Sequence, residues 1–555
     1  MTAEPPVADG FGARMAEAYS HEGAAIEIGR AVLDGTVYPE AMVQVPTAMG
    51  NRHGLIAGAT GTGKTVTLQL LAEQLSGQGV AVFAADVKGD LSGLAKPAVP
   101  GEKVAARIRE LGLAHTPTAS PVQFWALGGQ GPGVPVRASV GSFGPQLLAK
   151  VLGANETQTS SLALVFYYAD RAGLALVDLV DVIDLLSYLV SDEGRPELKA
   201  IGGLSSQTAG VLLRKLVELD QQGAEAFFGE PELAIDDLMR VGPDGRGVIS
   251  CLELAAVQDR PKLFSTFVMW LLAELFEHLP EAGDLERPKL VFFFDEAHLL
   301  FADASKAFVE QVTQTVRLIR SKGVGVFFVT QLPEDVPDAV LAQLGTRIQH
   351  GLRAFTPRDA KALKATVTTY PETDDYDLEE ALTQLGIGEA VVTTLDADGA
   401  PTPVAWTRVR PPQSQIGAVD PAEVATLAQA GDRWATYAAE VDRESAREML
   451  AARMGVPAPG PSTPAPAQAT AGPSSPSPSP EDLVRDSRDG SGGERSSEPK
   501  PTRKPARRSD PDPVNRRARD GDDGGLVTDF LKSREGRATV NNVVRGVFDL
   551  LKKRR

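Results

Sequence analysis

From Ala24 to Val45 the chain alternates apolar and polar residues, AAIEIGRAVLDGTVYPEAMVQV, on either side of Asp34-Gly35, a pair suited to the tight turn of a β-hairpin. The apolar run HGLIAGA that follows reads as a buried strand, residues 64–76 as a helix, and VAVFAAD as a second buried strand ending at Asp86, which together make a βαβ unit. Between about residues 100 and 245 the period lengthens, as in LALVDLVDVIDLLSYLV and TAGVLLRKLVELDQQG, and predicts a largely helical insertion. Strand signals then return in RGVISCLEL, KLVFFF, GVGVFFVT and TRIQHGLR, with the helix PKLFSTFVMWLLAELFEHL and a second helix ending near Arg320 between them. GEAVVTTLDADGAPTPVAWTRV reads as a two-stranded ribbon turning at Asp398-Gly399. Strands that alternate with helices predict an α/β fold with a mostly parallel sheet covered on both faces.

The flanks differ from this core. Residues 1–23 are polar and predicted to be flexible, and residues 411–455 form a charged extension with a helical pattern. Residues 456–525, rich in Pro and Ser and then in mixed charge, cannot bury enough apolar surface to fold and are predicted to be a disordered linker. Residues 526–555 end in a short basic amphipathic helix, with Val540, Val543, Val544, Val547 and Leu551 on one stripe. Such a stripe docks on protein more often than on an anionic bilayer, so peripheral membrane contact is the weaker expectation.

Composition narrows the class. The chain has 555 residues, too many for one typical core, and a formal net charge of −17, which argues against an all-over basic surface for nucleic acid but not against a local basic channel. A single cysteine, Cys251, excludes an intramolecular disulfide, and the six histidines show no metal-ligand spacing, so a reducing cytoplasm fits best. The N-terminus has no basic start and no apolar run, unlike a secretory signal. The apolar stretch Phe264 to Phe276 is too short to span a membrane and carries Glu274, so it reads as a core helix.

Gly58 to Thr65, GATGTGKT, matches the phosphate-loop pattern in full and lies between a predicted strand and helix. Gly58, Ala59, Thr60, Gly61, Thr62 and Gly63 would turn backbone N–H groups around the phosphates of ATP. Lys64 would reach the β and γ phosphates, and the Thr65 hydroxyl would ligate Mg²⁺. KLVFFFDEAHLL supplies the second acidic strand, with Asp295 placed to hold Mg²⁺ and Glu296 placed as general base for the attacking water. Gln331, at the end of GVGVFFVT, is placed to bridge γ-phosphate and water.

The order phosphate loop, DVKGDLSG, long insertion, DEAHLL and VTQ resembles the HerA–FtsK superfamily of hexameric DNA-pumping ATPases, and within it the bacterial HerA-like group that includes YjgR. The resemblance covers about residues 24–410 and rests on IEIGRAV, GATGTGKT, DVKGDLSGLA, FDEAHLLF and HGLRAFTPRDAKALK. It implies a RecA-like P-loop ATPase core, a ring-forming homo-oligomer and an arginine that completes the neighbouring subunit's site. TVRLIRSKGVGVFFVTQ resembles the segment that carries that arginine, making Arg320 the first candidate, Arg353 the second and Arg317 the third. Asp86 and Lys88 are implied to border the nucleotide site or the subunit interface.

DEAH also matches the second motif of DEAH-box helicases. The 231 positions between Lys64 and Asp295 argue against that family, as does the lack of its Ser-Ala-Thr motif, and His298 is then incidental to the chemistry. Only about 50 residues precede the phosphate loop, too few for the N-terminal β-barrel that docks a nuclease in archaeal HerA-like proteins, which argues against a nuclease partner. Two functions remain: a ring ATPase that translocates DNA, using cations of SKG or RAFTPRDAKALK, or an ATPase of the same fold that remodels or secretes protein.

Overall fold

The computed structural model describes residues 10–455, except 284, 302–305 and 397. They belong to one compact unit, Met1–Thr463; the second unit, Pro464–Arg555, lies outside the described residues, as do the predicted linker 456–525 and terminal helix 526–555.

Twelve described strands form a single sheet: β1 (Ala25–Leu33), β2 (Thr36–Pro46), β3 (Gly54–Ala57), β4 (Ala81–Asp86), β5 (Val122–Leu127), β6 (Val134–Val136), β7 (Ile249–Glu253), β8 (Leu290–Phe294), β9 (Val324–Thr330), β10 (Thr346–His350), β11 (Glu389–Thr393) and β12 (Ala405–Val409). Their order across the sheet is β2-β1-β12-β11-β10-β3-β9-β8-β4-β7-β5-β6. From β10 to β6 every neighbouring pair is parallel, while β11, β12, β1 and β2 complete one flank in antiparallel pairs. The α/β class expected from the sequence is therefore the class observed. The parallel strands are buried on both faces, which is why LVFFF and VGVFFVT read as unbroken apolar runs rather than as alternations. In the β1–β2 hairpin, Leu33 pairs with Thr36 and both Asp34 (φ 48°) and Gly35 (φ 74°) are left-handed, as a two-residue primed turn requires.

Three expectations change. The predicted flexible N-terminus contains a helix, Phe11–Ala18, because Phe11 and Met15, four residues apart, place an apolar stripe on one face. Phe11 packs edge-on against Tyr38, and the Tyr19 hydroxyl donates to the carbonyls of Pro403 and Val392. The insertion, predicted to be largely helical, also carries strands: β5 and β6 extend the sheet beyond β7, alongside the helix Glu102–Glu110 and the helices from Val140 to Gln221. The extension after β12 is integral to the fold. Its Val424, Ala428, Ala446 and Leu450 join the main core, and Tyr437 packs edge-on against Trp125 while its hydroxyl donates to Asp237.

Helix Pro261–His278 buries Phe267, Trp270, Leu271 and Leu275, as a core helix should. Among the described residues no helix is long and apolar enough to cross a membrane.

Candidate nucleotide site

Strand β3 delivers the chain into Gly58–Gly63, where Gly58, Gly61 and Gly63 have φ of 150°, 79° and 119°. A Cβ on Gly58 would stand 2.6 Å from His350 Cβ, so the loop can lie against β10 only with glycine there. Four backbone contacts hold it: Gly58 N–H faces the carbonyls of Thr330 (3.3 Å) and Gln331 (3.2 Å), Ala59 N–H donates to Gly351 (2.9 Å), and Gly388 N–H donates to Thr62 (3.0 Å). Lys64 opens the helix Lys64–Gly77, and its buried ammonium donates into the loop, to Gly58 O (2.8 Å) and Ala59 O (3.3 Å). Thr65 lies half-buried in the first helical turn.

Behind the loop stands His350, which sequence reasoning did not single out. Burial pushes its imidazole down to about 4. The neutral ring therefore donates from Nδ1 to Glu389 O (2.8 Å) and accepts at Nε2 from the Thr67 hydroxyl (2.9 Å), bracing the phosphate-loop helix against β10 and β11.

Two strands away, β8 ends in buried Asp295 and Glu296. Burial, reinforced by the charge of Glu296, pushes the Asp295 carboxyl up to about 7. Glu296 has φ 47°, a left-handed conformation rare for a residue with a side chain, and such strain collects at functional sites. Its Oε1 is paired with the Lys88 ammonium, which comes from the DVKGD loop after β4. Its Oε2 lies 3.2 Å from His298 Nδ1 with no hydrogen bond between them. His298, expected to be incidental, thus sits against the candidate general base.

Lys88 is raised above the ordinary lysine value: burial works against this, but the contact with Glu296 outweighs it. Lys64 is lowered, by burial first, while the nearby Glu296 and Asp295 favour its charged form. Asp86, at the end of β4, accepts N–H bonds from Lys88, Gly89, Asp90 and Leu91 and so shapes the loop that presents Lys88. Opposite it in register is Glu253, pushed up to about 8 by burial and by Asp86.

The residues present fit a triphosphate with a divalent cation. Asp295 Oδ2 is buried and accepts no hydrogen bond in the structure, a costly arrangement for a carboxylate and one that a cation would relieve. Gly61 has open space where a Cβ would be, so nothing within 4 Å crowds the loop there. Gln331 is exposed at the end of β9, beside Gly58.

The arginine candidates separate. Arg317 and Arg320 lie before β9, at the edge of the sheet opposite the phosphate loop, whereas exposed Arg353 follows Gly351 on the same edge as that loop.

The model of the family described as "Helicase HerA-like C-terminal" matches residues 33–518. This chain belongs to that HerA-like family. A protein of Methanocaldococcus jannaschii named "Probable helicase MJECL08" is 30% identical over 154 residues, which cover 26% of this chain and 28% of that protein, so the match spans under a third of the relative. Among solved structures, the plasmid coupling protein TrwB in complex with ADP and Mg²⁺ is 17% identical, with 74% of this chain and 94% of that one covered at a TM-score of 0.49. VirB4 of Thermoanaerobacter pseudethanolicus is 16% identical, with 70% and 97% covered at a TM-score of 0.43.

Proposed function

We propose that this HerA-like chain hydrolyses ATP and works as a subunit of a hexameric ring that translocates DNA. The observation that carries the ATPase reading is the convergence, at one sheet edge, of the loop Gly58–Thr65 with buried Asp295 and Glu296, Lys64 being close enough to both carboxylates to feel their charge. In this reading the loop N–H groups and Lys64 hold the phosphates, Thr65 and Asp295 hold Mg²⁺, and Glu296 takes the proton of the attacking water. Bound there, Mg²⁺ supplies charge neutralisation for the phosphates. Gln331 reports the state of the terminal phosphate.

Arg320, with Arg317 beside it, is the candidate that acts on a neighbour's nucleotide, because the opposite edge of the sheet keeps it from its own. Arg353, on the nucleotide's own edge, is better placed to act within its subunit.

For DNA, Arg353, Arg358, Lys361 and Lys364 are exposed around the helix Pro357–Val367. The cation of SKG is not available in this way: Lys322 is buried, with its ammonium bonded to Leu279 O and 4.9 Å from the Phe276 ring centre. The chain's net charge of −17 and its helical insertion favour a second reading, a protein-directed ATPase of the same fold.

Steady-state ATPase rates with duplex DNA, single-stranded DNA and no DNA, at low and moderate salt, separate the two, with Glu296→Gln as blank. Stimulation that fades with salt supports a nucleic-acid motor. Equal rates in all three move the reading to a protein substrate, and no turnover above the blank overturns the ATPase.

A further inference from the structure

Across the sheet from the phosphate loop lies a cavity of about 690 Å³, within the usual range for ligand pockets. It is framed by the residues that enter β3, β9 and β10 and by the end of β11. Four arginines line it, Arg52, Arg317, Arg320 and Arg347, and among the described residues no Asp or Glu does. That is unusual in a chain whose acidic residues outnumber its basic ones by 73 to 56. Elsewhere arginines find carboxylates readily: Arg30, Arg408, Arg410 and Arg433 are all ion-paired. Arg52, Arg317 and Arg347 make no ion pair among the described residues. The like charges of Arg52, Arg317 and Arg347 around one hollow repel one another, and a multiply charged anion seated among them removes that repulsion.

We infer that this cavity is a second phosphate site of the subunit, apart from its own loop Gly58–Thr65, which takes a phosphate-type anion of at least two charges. The planar guanidinium forks suit phosphate oxygens in pairs. Tyr370, also lining the cavity, keeps its hydroxyl neutral because burial raises it, and a neutral hydroxyl can donate to such an anion where a phenolate could not. The phosphate has two sources, the nucleotide of a second copy of this chain or a free di- or polyphosphate. The first rests on the ring proposed above; the second does not.

The test uses the full chain carrying Lys64→Ala, which disables the phosphate loop, titrated with pyrophosphate by calorimetry. Saturable binding is expected, and adding Arg52→Gln or Arg347→Gln should weaken it roughly ten- to hundredfold while the melting temperature without ligand stays put. No binding, or binding equally strong after both substitutions, overturns the site. A substitution that lowers the melting temperature is replaced by Arg52→Lys or Arg347→Lys, which keeps the charge but loses the fork and must still weaken binding.

The sources separate when ATP-loaded Glu296→Gln protein is added to the Lys64→Ala protein. Association lost with Arg52→Gln or Arg347→Gln assigns the phosphate to a second copy's nucleotide. Association untouched while pyrophosphate binding is lost assigns it to a free anion. Failure of the ATPase reading shows separately, as absent turnover in the unsubstituted protein.

Discussion

Lys88 and Glu296 lie 208 positions apart in the chain and form an ion pair beside the phosphate loop. The pair ties the loop after β4 to the end of β8 and fixes one oxygen of the candidate general base, leaving the other toward His298. Lys88→Ala should lower kcat about ten- to hundredfold, because the carboxylate loses the partner that orients it, while ATP affinity changes far less than in Lys64→Ala. Lys88→Arg should recover part of the loss. An unchanged kcat in Lys88→Ala, measured with nucleotide Kd alongside, would remove Lys88 from the catalytic arrangement.

The phosphate loop should tolerate substitution unevenly. At Gly58 a methyl group meets both a φ of 150° and the His350 side chain, whereas at Gly61 it meets only a φ of 79° and open space. Gly58→Ala should cost roughly 2–5 kcal/mol and weaken nucleotide binding; Gly61→Ala should cost about 1 kcal/mol. Denaturant midpoints of the two proteins check this, and equal midpoints would contradict the close approach to β10.

Glu253 gives a stability trend with pH. Its ordinary value is 4.5 and the native value is about 8, so between these limits the folded protein keeps a proton that the unfolded chain releases. The contribution is intact below pH 4.5 and is lost as pH rises toward 8. Glu253→Gln lacks this loss, so its stability relative to the unsubstituted protein should improve between pH 5 and 8, by at most about 4 kcal/mol. Chemical denaturation across that range is the measurement, and parallel curves would refute the buried, protonated carboxyl.

Arg320→Ala should bind ATP and fail to hydrolyse it. Mixed with Glu296→Gln, a fraction of sites then carries an intact base and an intact neighbouring arginine, so turnover should rise above that of either protein alone. No recovery at any mixing ratio would confine Arg320 to its own subunit.

The N-terminal helix should matter for stability. Met15 is fully buried among core residues, and Met15→Ala should cost roughly 2–5 kcal/mol, read from the denaturant midpoint. A cost below 0.5 kcal/mol would return this segment to the flexible state its polar composition suggested.

The sequence revealed most of the sheet because its central strands are buried on both faces and therefore written as apolar runs. GATGTGKT and DEAH named the loop and the acidic strand through local spacing alone. Pairings between distant segments were beyond its reach. Nothing local to Lys88 says that it touches Glu296, and nothing in TRIQHGLR says that His350 braces Thr67. The helix at Phe11 escaped because two buried apolar side chains, Phe11 and Met15, in a short polar segment make a weak periodic signal. Strands β5 and β6 escaped because VQFWAL and VPV are short and precede long helices that dominate the pattern around them.

The strand order has a consequence for the birth of the protein on the ribosome. Gly58 needs the carbonyl of Thr330 and Ala59 that of Gly351, partners made 272 and 292 positions later in synthesis. At about 5–20 residues per second this is a delay of roughly 15–60 s, during which β3 has neither of its sheet neighbours and its loop lacks both contacts. A nascent chain therefore completes the frame of this loop only after β10 has emerged, and a chain halted earlier carries the full GATGTGKT motif without the strand contacts that hold it.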